Sequence, residues 1–179
     1  MNEKSSRKKI TIMKKAGLNL NVVLLEPEIP QNTGSIARTC AATGVRLHLI
    51  KPLGFSTKDK DLKRAGLDYW HLVDITYHES LADFFENCVP EKLTFFTKKA
   101  ARTYDHIDFK GNVFLIFGKE TTGIPDEILN KNEANCFRIP MKAEARSLNL
   151  SNAVSIVVYE ALRQNEFPGL AQHGEMAKK

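Results

Sequence analysis

Hydrophobic positions alternate along the chain between short unbroken runs and sets of residues at helical spacing. The unbroken run at 113–117 is typical of a strand buried on both faces of a sheet, and the segment Asn-Val-Val-Leu-Leu at 21–25 also predicts a strand. Near the C-terminus the apolar positions recur at helical spacing, at Leu150, Ala153, Val154, Val157 and Ala161. This alternation continues along the chain and predicts an α/β fold, a mainly parallel sheet flanked by helices.

Turn-forming residues divide the runs into elements. Strands are predicted at 21–25, 46–50, 72–77, 92–97, 113–117 and 136–139. Helices are predicted at 35–43 and 56–66. Three more are predicted: one that Ser80 caps, one with Pro125 in its first turn, and a last one that ends at Arg163. The proline-rich segment 26–34 is predicted to be a rigid, non-helical turn, and 98–111 a polar connection.

A glycine loop follows the run at 113–117. Gly118 and Gly123 lack a Cβ atom, so the backbone there can turn with positive φ or approach a ligand closely. The loop is therefore a candidate binding element at the edge of the sheet.

A second candidate is the polar start of the last helix, where Ser147, Asn149, Ser151 and Asn152 crowd together. Their oxygens can cap free N–H groups, and the helix dipole also favours an anion such as a carboxylate. Taken alone, simple capping of a structural helix is the better explanation of this cluster.

Asn32 and Arg38 follow the first predicted strand. They are expected at the edge where parallel α/β sheets usually bind ligands. A surface ion pair is the alternative for Arg38.

A chain of 179 residues fits one domain, expected at 20–169 between an arm at 1–19 and a tail at 170–179. The net charge of +5 suggests a polyanionic partner, but much of the excess lies in the arm, which either contacts RNA or only aids solubility. The charged helix at 56–66 is either a solvated face or a track for phosphates.

Several kinds of chemistry are not indicated. The chain has no phosphate-binding GxxxxGK[ST] loop, no GxGxxG after the first strand, no HExxH and no GxSxG. Three dispersed cysteines and five histidines without ligand spacing predict neither disulfides nor a metal site, which fits the cytoplasm. We expect neither a membrane anchor nor export.

Three segments together resemble the SpoU branch of the SPOUT RNA methyltransferases. They are Asn32-Thr-Gly-Ser-Ile-Ala-Arg38, Phe117-Gly-Lys-Glu-Thr-Thr-Gly-Ile-Pro125, and Arg138-Ile-Pro-Met141 with Arg146-Ser-Leu-Asn-Leu-Ser-Asn152. Further segments at 25–34, 51–55, 65–69 and 158–161 resemble the minimal TrmL type within that branch, the tRNA wobble-nucleotide 2′-O-methyltransferases. Lys119 departs from the small residue or proline expected there.

The resemblance implies a deep C-terminal trefoil knot, a homodimer whose active site is completed across the interface, and S-adenosylmethionine as cofactor. It places the cofactor near Phe96, Gly118, Ile139, Met141, Ser147 and Leu148. It implies methylation of the ribose 2′-OH of the wobble cytidine or uridine in the tRNA anticodon loop.

The resemblance also assigns catalytic roles. Arg38 matches the arginine that promotes attack by the ribose hydroxyl, and Asn32 would support Arg38 or the substrate. Because arginine is too basic to accept a proton readily, we expect it to orient the hydroxyl and offset developing negative charge. Secondary candidates for binding substrate are Glu120, Asn149, Asn152 and Tyr159. No metal is required, since the sulfonium is already the electrophile.

Three alternatives stay open. The same reaction could act on another tRNA position or on ribosomal RNA. The fold could bind RNA without turnover, or it could be an ordinary doubly wound nucleotide-binding enzyme without a knot.

Overall fold

The structure is a computed structural model that describes residues 18–56, 67–88 and 90–176. Its centre is one seven-stranded sheet. The strands are β1 (Leu18–Leu25), β2 (Arg46–Ile50), β3 (Ile75–His78), β4 (Lys92–Phe96), β5 (Arg102–Thr103), β6 (Gly111–Phe117) and β7 (Cys136–Arg138). They are ordered β3-β2-β1-β6-β4-β7-β5, and all six pairings between them are parallel. The predicted parallel α/β sheet is confirmed.

Four α-helices flank this sheet within the described residues. They are α1 (Pro30–Thr43), α2 (Leu81–Asn87), α3 (Asp126–Lys131) and α4 (Leu150–Gln164). Short 3-10 turns lie at Leu67–Leu72, Tyr104–His106 and Glu133–Asn135. None of the helices in the described ranges is both long and apolar enough to cross a membrane.

The sheet separates two hydrophobic layers. Strand β6 divides its side chains between them, because successive residues of a strand point to opposite faces. Leu115 packs in the layer that contains Ile36 of α1 and Val157 of α4. Ile116 packs in the other layer, with α2 and α3. The protein is thus a three-layer α/β/α domain, and the continuous apolar runs of the sequence reflect burial on both faces.

Helix α1 begins earlier than the sequence predicted. The segment 26–34 was expected to contain no helix, yet α1 starts at Pro30 and ends at Gly44, which has a φ of 70°. Proline is accommodated at the first helical position because the N–H that it lacks would have no intrahelical partner there. The correction places Asn32 inside the first turn of the helix.

Other boundaries also differ from the prediction. The expected strand at 72–77 is a 3-10 turn over Leu67–Leu72 followed by β3 at Ile75–His78. The polar connection at 98–111 contains the edge strand β5, and Pro125 precedes α3 as its N-cap. Strand β1 begins at Leu18, inside the segment expected to be an arm. The rest of the arm and most of the helix expected at 56–66 lie outside the described residues.

The central position of β6 leads to a stability prediction. Leu115 is fully buried between β1 and β4, so Leu115→Ala should lower the free energy of unfolding by about 2–5 kcal/mol through lost burial and a residual cavity. Leu72→Ala is the matched control, because Leu72 is 61% exposed and its truncation should change that free energy by less than about 0.5 kcal/mol. Urea unfolding at one fixed protein concentration measures both. Equal losses would contradict the assignment of Leu115 to the core.

Candidate active site

A cavity of about 470 Å³ opens where β4, β6 and β7 end. Its lining comes from four segments, within residues 29–32, 96–99, 117–124 and 139–153. The polar and charged side chains of this lining include Asn32, Lys98, Lys99, Lys119, Glu120, Thr121 and Asn149. Each of the six residues predicted to hold the cofactor also lines it, namely Phe96, Gly118, Ile139, Met141, Ser147 and Leu148. The structure therefore brings together residues that are up to about fifty positions apart in sequence.

The wall formed by the glycine loop requires glycine at 118. A Cβ atom on Gly118 would lie 2.1 Å from the carbonyl carbon of Gly123, and 2.3 Å from the amide nitrogen of Ile124. The loop turns back on itself through a hydrogen bond from the N–H of Gly123 to the carbonyl of Lys119, 2.9 Å long. Gly123 has a φ of 72°, which favours glycine. Backbone atoms therefore form this wall.

Apolar side chains form another part of the cavity. The rings of Phe96 and Phe117 stack with centroids 4.7 Å apart and planes 12° from parallel. Ile139, Met141 and Leu148 line the cavity beside polar backbone and lysines. A pocket of this size with an apolar lining and a few polar groups is typical of a small-molecule or cofactor site.

The carboxylate of Glu120 joins the glycine loop to the start of α1. Its Oε1 accepts hydrogen bonds from the Ile29 N–H at 3.2 Å and from the Asn32 side-chain Nδ2 at 2.9 Å. Its Oε2 accepts from the Glu28 N–H at 2.9 Å. Ile29 is the N-cap of α1 and has no side-chain cap of its own, so Glu120 supplies the negative group at the positive end of the helix.

Two further contacts fasten the same loop to the segment after β1. The Nζ of Lys119 lies 2.8 Å from a carboxylate oxygen of Glu26, and the Glu28 carboxylate accepts from the Thr121 N–H and hydroxyl. The hydrogen bond and charge of Glu26 raise the pKa of Lys119, which keeps it protonated. Lys119, which stands where the resemblance leads us to expect a small residue or proline, is thus held by an ion pair with Glu26.

Asn149 connects the start of α4 to the same network. Its Oδ1 accepts from the N–H groups of Ser151 and Asn152, so it is the N-cap of α4. Its Nδ2 donates to Oδ1 of Asn32 over 2.9 Å. Of the polar cluster at this helix start, Asn149 performs the capping, while Ser147 lines the cavity.

Arg38 lies on the exposed side of α1, outside the cavity lining. Its Cζ is 4.6 Å from the centroid of the Tyr69 ring, and its Nη2 donates to the Tyr69 hydroxyl over 3.3 Å. Tyr69 ends the segment 65–69 that resembles the family, but no spacing rule in the sequence links it to Arg38. The contact holds the guanidinium against an aromatic face.

Two predicted substrate residues lie apart from the cavity lining. Asn152 and Tyr159 are exposed on α4, and the Tyr159 side chain is 48% exposed. A hydrogen bond of 3.1 Å between the hydroxyls of Thr39 and Ser155 joins α1 to α4. Arg38, Asn152 and Tyr159 are therefore presented by the same pair of helices.

Comparison with known proteins identifies the family. The model of the SpoU rRNA Methylase family matches residues 19–159. A tRNA (cytidine(34)-2′-O)-methyltransferase of Escherichia coli K12 is 49% identical over 151 residues, which are 84% of this chain and 96% of the relative.

Solved structures agree with this match. One from work on 2-OH methylation of C/U34 on tRNA has a TM-score of 0.78 and 44% identity, covering 82% of this chain and 96% of that chain. An AdoMet-bound rRNA methyltransferase from Sinorhizobium meliloti has a TM-score of 0.72 and 28% identity, covering 81% of this chain and 56% of that one. With the parallel sheet and the cavity at its carboxyl edge, these matches show that the chain belongs to the SpoU methylase family.

Proposed function

We propose that this protein transfers the methyl group of S-adenosylmethionine to the ribose 2′-OH of the wobble cytidine or uridine, position 34, in the tRNA anticodon loop. The observation that carries the proposal is the cavity itself, because it gathers Asn32, Gly118, Ile139, Ser147 and Asn149 from all three family segments. The relatives named for position 34 of tRNA support this substrate over ribosomal RNA, since they are 44–49% identical and the rRNA enzyme is 28% identical.

The cavity suits S-adenosylmethionine. Its volume of about 470 Å³ lies within the range of roughly 300–1,000 Å³ typical of small-ligand sites. The backbone at Gly118 and at 139–148 offers N–H and carbonyl groups to the polar parts of the ligand, and Phe96, Ile139 and Leu148 offer apolar contact. When bound, the cofactor supplies an electrophilic methyl group on a sulfonium, which requires no metal.

Arg38 acts on the ribose in this proposal. A ribose hydroxyl is a poor nucleophile at neutral pH, so it must be held in line and its developing negative charge offset. The guanidinium of Arg38 is charged at any physiological pH and carries five donors in a fixed geometry. Stacking on Tyr69 limits the orientations of that group. The side chain of Asn32 is bonded to Glu120 and Asn149, so its proposed support of Arg38 acts by fixing the first turn of the helix that both residues share.

We infer that the protein is a homodimer joined through α1 and α4. Large apolar side chains are exposed there within the described residues, with Ile156 37% and Tyr159 48% exposed. A partner covering this face would lie close to Arg38 and Asn152. That placement supports an active site completed across the interface and would explain why Asn152 and Tyr159 lie outside the cavity of one chain.

We also infer a trefoil knot at the C-terminal part of the domain. Phe96 of β4 and Arg102 of β5 pair with Phe137 from opposite sides, so residues 97–101 must pass around β7. The chain after β7 continues to α4, whose C-cap Asn165 donates to the carbonyl of Phe109. These contacts support threading of the last segment through the loop that follows β4.

Two further parts of the proposal concern the whole molecule. We place its activity in the cytoplasm because its proposed substrate is tRNA. We also propose that the basic segment before β1 adds non-specific phosphate contacts, since it carries Lys4, Arg7 and Lys8 among other basic residues.

Methyl transfer tests the proposed function directly. Labelled S-adenosylmethionine with unmodified tRNA should yield a 2′-O-methylated pyrimidine at position 34, located by nuclease mapping and nucleoside mass spectrometry. Ribosomal RNA from the same source is the control and should stay unlabelled. Label in ribosomal RNA alone, or at another tRNA position, would overturn the choice of substrate, and failure to bind the cofactor would overturn the whole proposal.

Arg38→Ala should lower the rate of methyl transfer by about 100-fold or more, because the charge that orients and stabilises the hydroxyl is lost. Cofactor affinity, measured by calorimetric titration, should stay within about twofold of wild type, since Arg38 does not line the cavity. Arg46→Ala is the matched control. Arg46 lies on β2 and forms an ion pair with Asp74, so the variant should retain full activity. Loss of cofactor binding in Arg38→Ala would assign the residue to the cofactor pocket instead.

Gly118→Ala should weaken cofactor binding by about tenfold or more, because its Cβ would force the backbone of Gly123 and Ile124 to move. Gly174→Ala should leave the affinity unchanged, since a Cβ atom there meets nothing within 4 Å. Titration of both variants with S-adenosylmethionine compares them. Equal, wild-type affinities would show that the loop backbone does not contact the cofactor.

A further inference from the structure

A second group of reactive side chains lies on the other half of the sheet. His48 of β2, His78 of β3 and Cys88, which directly follows α2, bring their ligand atoms within 4.8 Å of one another. His48 is 6% exposed and His78 is 2% exposed, while Cys88 is half-buried. None of the three lines the active-site cavity. Because these residues are thirty and ten positions apart, no local spacing in the sequence indicated that they meet.

The two imidazoles face each other edge to edge. The Nδ1 of His48 lies 3.0 Å from the Nε2 of His78. The ring planes are 19° from parallel, with centroids 5.3 Å apart. In this arrangement the two facing nitrogens point at one shared position, roughly in the plane of both rings.

The outer nitrogen of His48 faces an acceptor. Its Nε2 lies 3.4 Å from Oδ1 of Asn21. The Asn21 amide cannot turn around freely, because its Nδ2 donates to Oδ1 of Asn112 and to the carbonyl of Val113. Asn21 therefore presents oxygen to His48, which favours the tautomer with the proton on Nε2 and the lone pair on Nδ1.

The outer nitrogen of His78 faces a carboxylate. Its Nδ1 lies 3.9 Å from Oδ2 of Asp83, which also accepts from the Glu79 N–H. That distance is longer than a hydrogen bond, so the carboxylate favours a proton on Nδ1 only through its charge. In the tautomers with both outer nitrogens protonated, two lone pairs face each other at 3.0 Å, and a cation between the rings would stabilise that arrangement.

We propose that His48, His78 and Cys88 form a binding site for a zinc-type divalent cation, with the metal held by Nδ1 of His48, Nε2 of His78 and the Cys88 sulfur. The ligand set of two imidazoles and one thiolate is one that zinc prefers. Zinc–nitrogen bonds of about 2.0–2.1 Å in a tetrahedral site separate two nitrogens by about 3.3 Å, so the observed pair must widen slightly. Both rings must also turn, because each lone pair now points at the other ring rather than at a metal beside the pair. Water completes the fourth position on the exposed side of Cys88.

Binding at this site releases one proton, from the Cys88 thiol, because thiolate is the ligand. Asn21 lies beside the outer nitrogen of His48 and Asp83 beside that of His78, and the two would thereby orient the rings. The cation would fasten the end of α2 to β2 and to the edge strand β3. Its role is therefore structural and separate from methyl transfer.

The site is tested by titrating cobalt and zinc into the full-length protein after a chelator has removed any bound metal. One equivalent of Co²⁺ should give tetrahedral visible bands with a thiolate-to-cobalt band in the near ultraviolet, and Zn²⁺ should displace it. Zinc should also raise the thermal midpoint in proportion to the logarithm of its concentration. A protein that binds no cobalt, or whose cobalt spectrum lacks the thiolate band, would overturn the proposal and leave a proton-sharing histidine pair.

Variants identify the ligands. Cys88→Ser should abolish the thiolate band, and Asp83→Asn should weaken zinc binding by about 10–100-fold while keeping an acceptor at the start of α2. The matched controls are Cys136→Ser and His71→Asn, which lie outside this group and should bind as wild type does. Cys88 is partly exposed, so its replacement tests the site even if variants of buried His48 fail to fold. A thiolate band that persists in Cys88→Ser would place the metal elsewhere.

Discussion

The carboxylate of Glu120 is the group on which the geometry of the active site depends. It is bonded to the N–H groups of Glu28 and Ile29 and to the side chain of Asn32, all about ninety residues earlier in the chain. An ionised carboxylate in such a contact needs hydrogen-bond donors, and the start of α1 supplies them. The same contact fixes Asn32, which in turn accepts from Asn149 at the start of α4. One charged group thereby sets the relative positions of the glycine loop and of two helices.

This arrangement explains why the loop needs glycine at 118. The carboxylate reaches α1 only if the chain reverses directly after β6, and the reversal leaves no room for a Cβ atom on Gly118, which would lie 2.1 Å from the carbonyl carbon of Gly123. The tight reversal leaves backbone rather than side chain facing the cavity. Lys119 and Thr121 fix the same loop through Glu26 and Glu28. The cavity is therefore shaped before any ligand enters, which lowers the ordering cost of binding.

Much of the fold followed from local sequence patterns. The strand predictions located β1, β2, β4, β6 and β7, and the helix predicted at 35–43 gave the correct end of α1 at Thr43. The errors arose where a distant partner decides the structure. Pro30 starts a helix whose N-terminus Glu120 caps from the loop after the neighbouring strand β6, and the two-residue strand β5 exists because β7 lies beside it. Likewise the lining of the cavity followed from family motifs, whereas the Arg38–Tyr69 and His48–His78 contacts join residues about thirty positions apart that no local periodicity relates.

The charged groups of the cavity indicate where the chemistry must come from. Among the described residues, four ionisable side chains line it, and each already has a protein partner: Lys98 with the carbonyl of Arg146, Lys99 with Asp126, Lys119 with Glu26, and Glu120 with its three donors. Groups engaged in this way position a ligand but are poorly placed to exchange protons with it. Charge that acts on a ribose hydroxyl must then be brought from outside the lining. Arg38 lies on the exposed side of the helix that Glu120 anchors, so the contact that shapes the cavity also fixes the helix that carries the charge proposed to act on the ribose.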